Sequence, residues 1–452
     1  MAADPNQQQQ QVGLLLGQDP SHFETLISHL MSSTNEQRSH AESLFNLCKQ
    51  SHPDALALQL SNLLQSSPRP ESRTMSAILL RRQLTDIWPR LADSTRSALK
   101  SLLLTSLQTE QIKSISKKLC DTVSELASLL LPDNSWPELL PFIFHCVTSD
   151  NLILQELSLI IFAQLAHYIG ETLVPHLTTL HDVFLNCLAS PRSNSDVRIA
   201  SLGAAINFVQ CLSSASDRDR FQDLLPLMMQ TLTEALNCGQ EVTAQEALEL
   251  LIELAGTEPR FLRRQLVDVV GSMLQISEAE SLDENTRHLA IEFVITLAEA
   301  RERAPGMMRK LPQFIQRLFA VLMNMLLDVE DDPAWHNAET EDEDAGESSN
   351  YAFGQECLDR LSISLGGNTI VPVASELFPA FLAAPEWEKH HASLIALAQI
   401  AEGCSKVLET KTKTKIKKLK HNYCPLLTLM LYIHIWTYCQ CFSSFTWKLL
   451  IR

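Results

Sequence analysis

Aliphatic residues recur every three or four positions along most of the chain, and runs alternating apolar with polar residues are hard to find. That period belongs to helices, each with one apolar stripe. The pattern also repeats on a longer scale. Thr243-Ala-Gln-Glu-Ala-Leu-Glu-Leu-Leu-Ile-Glu-Leu254 resembles Thr286-Arg-His-Leu-Ala-Ile-Glu-Phe-Val-Ile-Thr-Leu297, and Asp196-Val-Arg-Ile-Ala-Ser-Leu202 and Gln355-Glu-Cys-Leu-Asp-Arg-Leu361 follow the same plan. Each has a short polar lead, then a small residue that lets a neighbouring helix approach, then Leu or Ile.

Anchoring on that small residue picks out Ala41, Ala77, Lys118, Ser158, Ala200, Ala247, Ala290, Cys357 and Ala392, with Lys118 the misfit. The steps are 36, 41, 40, 42, 47, 43, 67 and 35 residues, mostly near the period of about 40–47 of HEAT and armadillo units. Between anchors a second helix opens near a proline, as at Trp136-Pro137, Val174-Pro175, Leu225-Pro226 and Leu311-Pro312. A proline costs nothing in a first helical turn, where its missing N–H would have no partner. The predicted fold is all-α: a HEAT-repeat α-solenoid of about eight to nine stacked antiparallel helix pairs. One pair cannot cover its own apolar face, but stacked pairs share a core and leave extended walls for binding.

Composition supports this reading. The 452 residues are 45% hydrophobic, only 6% aromatic, and contain 13 Gly. The net charge of −17 is unevenly spread. Residues 1–410 carry 28 Lys/Arg against 53 Asp/Glu, a net of −25, and the eight basic residues from Lys411 on meet no acid. Such a surface repels nucleic acid and bare anionic membrane and attracts basic partners. The 11 cysteines sit singly with no C-x-x-C pair, as buried free thiols in a reducing compartment do. The N-terminus, with Gln7–Gln11 and no apolar core, reads as a disordered lead-in and not a signal peptide. No phosphate-binding, dinucleotide, zinc-protease or serine-hydrolase motif is present, so no enzyme activity, cofactor or metal is expected. His390 and His391 are adjacent, which does not place two ligands on one helical face.

The 67-residue step holds an insertion. From Asp328 to Glu347 there are ten acidic residues and no Lys or Arg, densest at Glu339-Thr-Glu-Asp-Glu-Asp344. Like charges at that density oppose packing, so an exposed loop is expected, either as a solvated spacer or as a partner contact. Past Glu409 the character changes to Lys411-Thr-Lys-Thr-Lys-Ile-Lys-Lys-Leu-Lys420, then an apolar run from Pro425. The favoured reading of this tail is a segment with no selected fold. The alternatives are a tail anchor across residues 425–447 and a basic targeting or loop-binding stretch.

Three stretches resemble the importin-β (karyopherin-β) family, in its beta-three branch. They are Ala41-Glu-Ser-Leu-Phe45 with Arg73-Thr-Met-Ser-Ala-Ile-Leu-Leu-Arg-Arg82 and Trp88; the acidic loop running through Trp335 into Tyr351-Ala-Phe-Gly-Gln-Glu-Cys-Leu-Asp-Arg-Leu361; and Gly366-Gly-Asn-Thr-Ile-Val-Pro372 with Pro385-Glu-Trp-Glu-Lys-His-His-Ala-Ser-Leu394 and Ala401-Glu-Gly-Cys404. The resemblance spans about residues 20–409. It divides the chain into a lead-in (1–20), N-terminal family repeats (21–110), further repeats (111–327), the acidic loop (328–350), more repeats (351–409) and a divergent tail (411–452).

The resemblance implies a nuclear transport receptor, in a truncated form, moving between cytoplasm and nucleus through the pore. It implies Ran-GTP, Phe-Gly nucleoporins and basic cargo such as ribosomal proteins and histones as partners, with no nucleic acid and no membrane. Ran is then expected on the loop at Glu339, Glu341, Asp342, Glu343, Asp344 and Glu347, and on the N-terminal module at Arg73, Ala77, Leu80, Arg81 and Trp88. Nucleoporin grooves are expected at Leu202, Ile206, Leu248 and Ile252. The competing classes are a phosphatase-type HEAT scaffold, which should lack the acidic insertion, and a membrane-tethered adaptor using the tail.

Overall fold

The structure, a computed structural model, describes residues 5–300, 306–329 and 348–418. Every regular element among them is helical. The helices fall into two compact units, residues 1–227 and 228–452.

The first unit contains α1 (Pro5–Leu15), α2 (Pro20–Leu30), α3 (Asn35–Ser51), α4 (Pro53–Ser66), α5 (Pro70–Ile87), α6 (Asp93–Thr109), α7 (Lys113–Leu130), α8 (Leu139–Val147), α9 (Leu152–Ile169), α10 (Leu177–Ala189), α11 (Ser195–Cys211) and the short α12 (Ala215–Asp219). The chain passes to the second unit within α13 (Leu225–Asn237). That unit contains α14 (Glu241–Thr257), α15 (Leu266–Ser277), α16 (Glu284–Glu299), α17 (Pro312–Met325), α18 (Ser349–Leu365), α19 (Gly367–Leu382) and α20 (Trp387–Lys418).

Odd and even helices alternate between two layers. In the first unit α5, α7, α9 and α11 lie side by side in one layer, with α4, α6, α8 and α10 packed on them. In the second, α14, α16, α18 and α20 form the layer that carries α15, α17 and α19. This is the HEAT-type solenoid arrangement that the repeat period predicts. Hydrogen bonds along the layer report its period. Thr122 Oγ1 donates to the Ala77 carbonyl 45 residues away (3.2 Å), and Asn207 Nδ2 to the Ala163 carbonyl 44 residues away (3.4 Å).

The anchor residues do what their size suggests. Ala41, Ala77, Ser158, Ala247, Ala290, Cys357 and Ala392 are each 2% exposed or less, and Ala200 is 9% exposed. Lys118 is not an anchor: it is half-buried with its ammonium on Asp121 (3.4 Å). Small buried residues of α7, Ser116 and Cys120, lie on either side of it. Prolines start α2, α4, α5 and α17 at their first positions. Pro175 instead lies in a 3-10 helix just before α10.

Residues 5–15, read from sequence as disordered, form α1. Val12 is 2% exposed, and the glutamines before it are good helix formers once one apolar contact anchors the turn. At the other end, the backbone helix α20 runs on through Lys418, so the compositional break after Glu409 is no break in structure.

The few aromatic residues are concentrated. Phe162, Phe184, Phe208 and Phe221 meet edge-on or tilted at centroid distances of 5.7–6.3 Å in the first unit, geometries that favour the ring quadrupoles. Helix α9 is long and apolar enough to cross a membrane, but α7, α8 and α11 pack against it. Its hydrophobicity is that of a core helix. Cys48, Cys187 and Cys404 are buried free thiols whose pKa burial pushes up to about 11, and burial also raises Cys120 and Cys357. They are thiols, not thiolates, at neutral pH.

The tightest approach is between α18 and α20. A Cβ on Gly403 would overlap the backbone carbonyl of Ser362. Gly403→Ala must therefore push the two helices apart, and it should lower stability by about 1–3 kcal/mol. Gly256→Ala, whose Cβ would meet only the Thr296 methyl at 3.3 Å, should cost far less. Urea midpoints of the two variants test this; equal midpoints would refute the close approach.

His391 on α20 gives a second prediction. Its ring is largely enclosed, stacks on Tyr351 and meets the Tyr351 hydroxyl at 2.8 Å. Burial lowers its pKa to about 4. The unfolded chain then binds the proton first, so stability falls as pH drops from about 6.5 towards 4. Between pH 6.5 and 5 this one ring should cost about 2 kcal/mol. His391→Gln should flatten that part of the Tm–pH curve, and an unchanged slope would exclude the assignment.

Candidate partner-binding surfaces

The N-terminal repeats are held by charge as well as by apolar burial. Arg73 on α5 pairs with Glu110 (2.9 Å), whose side chain is 5% exposed. The other Glu110 oxygen accepts the N–H groups of Gln111 and Ile112 (2.9 and 2.8 Å), fixing the backbone that leads into α7. Ala77 and Leu80 are fully buried. Arg81 is exposed and reaches Asp121 (3.2 Å), which also receives Gln164 of α9 (3.2 Å), so one carboxylate links three successive helices. Trp88 packs on Ala57, Ile87, Leu91 and Leu99, with the Arg96 guanidinium 5.9 Å above its ring. Of the five residues singled out in this module, Arg81 and Trp88 keep surface for a partner. Arg73, Ala77 and Leu80 build the scaffold.

In the second unit the layer α14–α16–α18–α20 is acidic. Glu246, Glu249 and Glu253 are exposed on α14. On α16, Glu292 and Glu299 both hold Arg360 of α18 in two-pronged pairs at 2.7–2.9 Å. Those carboxylates push the Arg360 pKa further up, and one guanidinium is shared between two acids. Beside it, burial and the nearby Glu402 of α20 raise the Asp359 carboxyl. Asp359 and Glu402 make no ion pair with any described cation. They are two acidic groups one repeat apart, held with no cation between them.

The acidic stretch Glu339, Glu341, Asp342, Glu343, Asp344 and Glu347 lies outside the described residues. Its two flanks are tied to each other. The Ser348 hydroxyl lies 2.8 Å from the Asp328 carboxylate and 2.9 Å from its carbonyl, and Asn350 Nδ2 reaches the same carboxylate (3.3 Å). Ser348 also accepts the Tyr351 N–H (3.1 Å), capping α18. His288 of α16 stacks on Phe353 at 4.1 Å and bonds Asn350 Oδ1 (3.0 Å), and Ser349 bonds Glu284. Sequence reasoning missed this junction. Its partners are 62 and 65 residues apart, and no local pattern marks a pair across an insertion.

The residues expected to line nucleoporin grooves need correction. Leu202, Ile206 and Leu248 are each 0–1% exposed and belong to the core. Ile252 alone keeps partial surface. Apolar spacing marks groove wall and core alike, and burial separates them. The two adjacent histidines diverge: His390 bonds the Ala384 carbonyl (2.7 Å) and His391 the Tyr351 hydroxyl. Among the described residues no three His, Cys, Asp or Glu side chains cluster as a metal site would require.

A repeat protein whose layer α14–α16–α18–α20 is studded with acids is of the class that presents partners with an extended face. Comparison with known proteins makes the class specific. The importin-β N-terminal domain matches residues 41–109, importin-5-like TPR repeats match 111–272, and an importin repeat matches 279–372. The chain belongs to the importin-β family.

Its relatives include a probable importin-5 homolog of Dictyostelium discoideum, 25% identical over 405 residues, covering 87% of this chain and 37% of that protein. Importin subunit beta-3 of Saccharomyces cerevisiae is 27% identical over 360 residues, 78% of this chain and 31% of that one. The crystal structure of Kap121p superposes with a TM-score of 0.73 at 23% identity, over 90% of this chain and 39% of Kap121p. The chain thus spans about a third of the length of the curated relatives it matches.

Because Glu110 both pairs Arg73 and holds the backbone leading into α7, Glu110→Ala should destabilise the protein by about 3 kcal/mol, leaving a nearly buried guanidinium alone. Arg73→Ala in the same background should add little. Urea unfolding of the double-mutant cycle measures the coupling; strictly additive losses would show the pair to be inert.

Proposed function

We propose that this chain is part of a nuclear transport receptor that works by binding and not by catalysis, engaging Ran-GTP, Phe-Gly nucleoporins and basic cargo. The observation that carries the proposal is the order of the matches: an importin-β N-terminal domain followed by importin repeats, in one run from 41 to 372. Kap121p has been crystallised with RanGTP, with Nup53p and with Pho4p, and related folding makes the same partner classes reasonable here. The receptor would then move between cytoplasm and nucleus.

Charge supports the division of labour. The ten acids between Asp328 and Glu347 would meet a basic surface of Ran. Asp359 and Glu402, with Glu246, Glu249 and Glu253, would take the Lys and Arg side chains of cargo. A carboxylate pair without a cation gains from one more than an already neutralised pair does. Exchange of cargo for Ran-GTP then needs only a coupling free energy between two binding sites on one chain.

Retention on immobilised Ran tests the reading. The GTP form should bind and the GDP form should not, and removing residues 339–347 should weaken the GTP complex, most at low salt. Asp359→Lys with Glu402→Lys should reduce binding of a basic peptide about tenfold while leaving Ran-GTP retention intact. Equal retention of both nucleotide forms would sink the transport reading.

A further inference from the structure

Two consecutive turns in the second unit carry charge opposite to the net charge of residues 1–410. The turn between α14 and α15 is a 3-10 helix, Pro259–Gln265, with Arg260, Arg263 and Arg264 exposed. One repeat on, the turn before α17 ends in a second 3-10 helix, Met308–Lys310, with Arg309 and Lys310 exposed. Phe261, Leu262 and Met308 are buried beneath them. The apolar side chains fix these turns and leave the cations in solvent.

Four of these cations are not spoken for. Arg263, Arg264, Arg309 and Lys310 make no ion pair among the described residues. Several cations elsewhere are paired instead: Lys49, Arg69, Arg73, Arg81, Lys113, Arg317 and Arg360 each hold a carboxylate. Residues 258–268 hold three arginines with Glu258 and Asp268, and residues 300–311 hold Arg301, Arg303, Arg309 and Lys310 with Glu302 alone. Two of the corresponding turns of the first unit are acidic instead, with Asp133 and Glu138 in one and Glu171 in the other.

The two turns form one patch. Helices α15 and α17 pack side by side in the same direction. Gly271 of α15 faces the Phe314 ring, which a Cβ would meet at 3.8 Å, and Glu278 beyond the end of α15 pairs with Arg317 (2.5 Å). Both contacts match an earlier residue to an earlier one and a later to a later, so the starts of the two helices lie together. Packed helices are about 8–10 Å apart, which places the two basic turns within reach of one extended ligand. Val267, in the first turn of α15, is 52% exposed and adds an apolar spot.

We propose that this edge binds an acidic protein segment that also carries an apolar side chain, with carboxylates on Arg263, Arg264, Arg309 and Lys310 and the apolar group on Val267. This site is distinct in charge from the acidic face assigned to basic cargo, so its partner is of a different class. A short acidic segment fits better than a nucleic acid. The net charge of −25 on residues 1–410 repels an extended polyanion, whereas a short peptide senses little beyond a Debye length of about 8 Å.

The test is fluorescence anisotropy on the full chain, with a fluorescein-labelled peptide of Glu and Asp residues flanking two Leu. A labelled single-stranded oligonucleotide of the same charge is the rival probe. Reversing either pair, Arg263→Glu with Arg264→Glu or Arg309→Glu with Lys310→Glu, should weaken peptide binding about three- to tenfold, and reversing all four should abolish it. Val267→Ser should weaken it about threefold. Arg192→Glu, on an exposed turn of the first unit, should leave it unchanged, and added salt should weaken it. Helical circular dichroism checks folding, and Arg263→Gln with Arg309→Gln serves if the fourfold reversal does not fold. No peptide binding by the unmodified chain, binding indifferent to all these changes, or tighter binding of the oligonucleotide at the same residues would overturn the proposal.

Discussion

Each helix pair in this protein is an incomplete object. Its apolar face is too wide for its own partner helix to cover, so it must be buried against the next pair. The contact that makes this possible is small: a buried alanine, serine or cysteine in each helix of the anchor layer. Ala77, Ser158, Ala247, Ala290, Cys357 and Ala392 hold these places at 0–2% exposure. At Gly403 and Ser362 the approach is closer than any side chain permits. The rest of the molecule hangs on this spacing, because hydrogen bonds such as Thr122 to Ala77, one repeat apart, form only when the helices are that near.

That spacing explains how much could be read from the chain alone. A small residue followed by Leu or Ile at helical distance is a local signal, and it located all but one of the helices of the anchor layer. It failed in α7, where Lys118 occupies the expected place and Ser116 and Cys120 share the packing. Long side chains can lie along a helix with their charge at the edge, so a lysine beside the contact is tolerated. The lead-in failed for a related reason: one apolar residue, Val12, is enough to fix a glutamine-rich helix against a core, but it leaves no periodicity to see. The binding surfaces were less legible. Leu202, Ile206 and Leu248 share the spacing of groove residues and are core, while the junction of His288, Asn350 and Phe353 depends on residues brought together across an insertion.

Polar groups in this fold do two kinds of work, and the distinction follows from whether a partner charge is present. Glu110, Asp121 and Glu292 are saturated by Arg, Lys or backbone N–H groups and join repeats. Asp359 and Glu402 are not, and burial together with their mutual repulsion raises the Asp359 carboxyl. A saturated acid contributes to cohesion and offers little to a newcomer. An unsatisfied acid is a standing electrostatic cost that an incoming cation relieves. On a chain this acidic, the unpaired groups are therefore better guides to recognition than the total charge.

The bonds between Asp328 and Ser348 have a consequence for how this molecule can change over generations. They bring the two borders of the insertion to a single point, so the helices on either side feel the same restraint whatever lies between. Lengthening such a closed loop costs only about 0.6 kcal/mol per doubling. Its size and charge can drift with the surface it must meet, and the repeats that carry it need not be rebuilt.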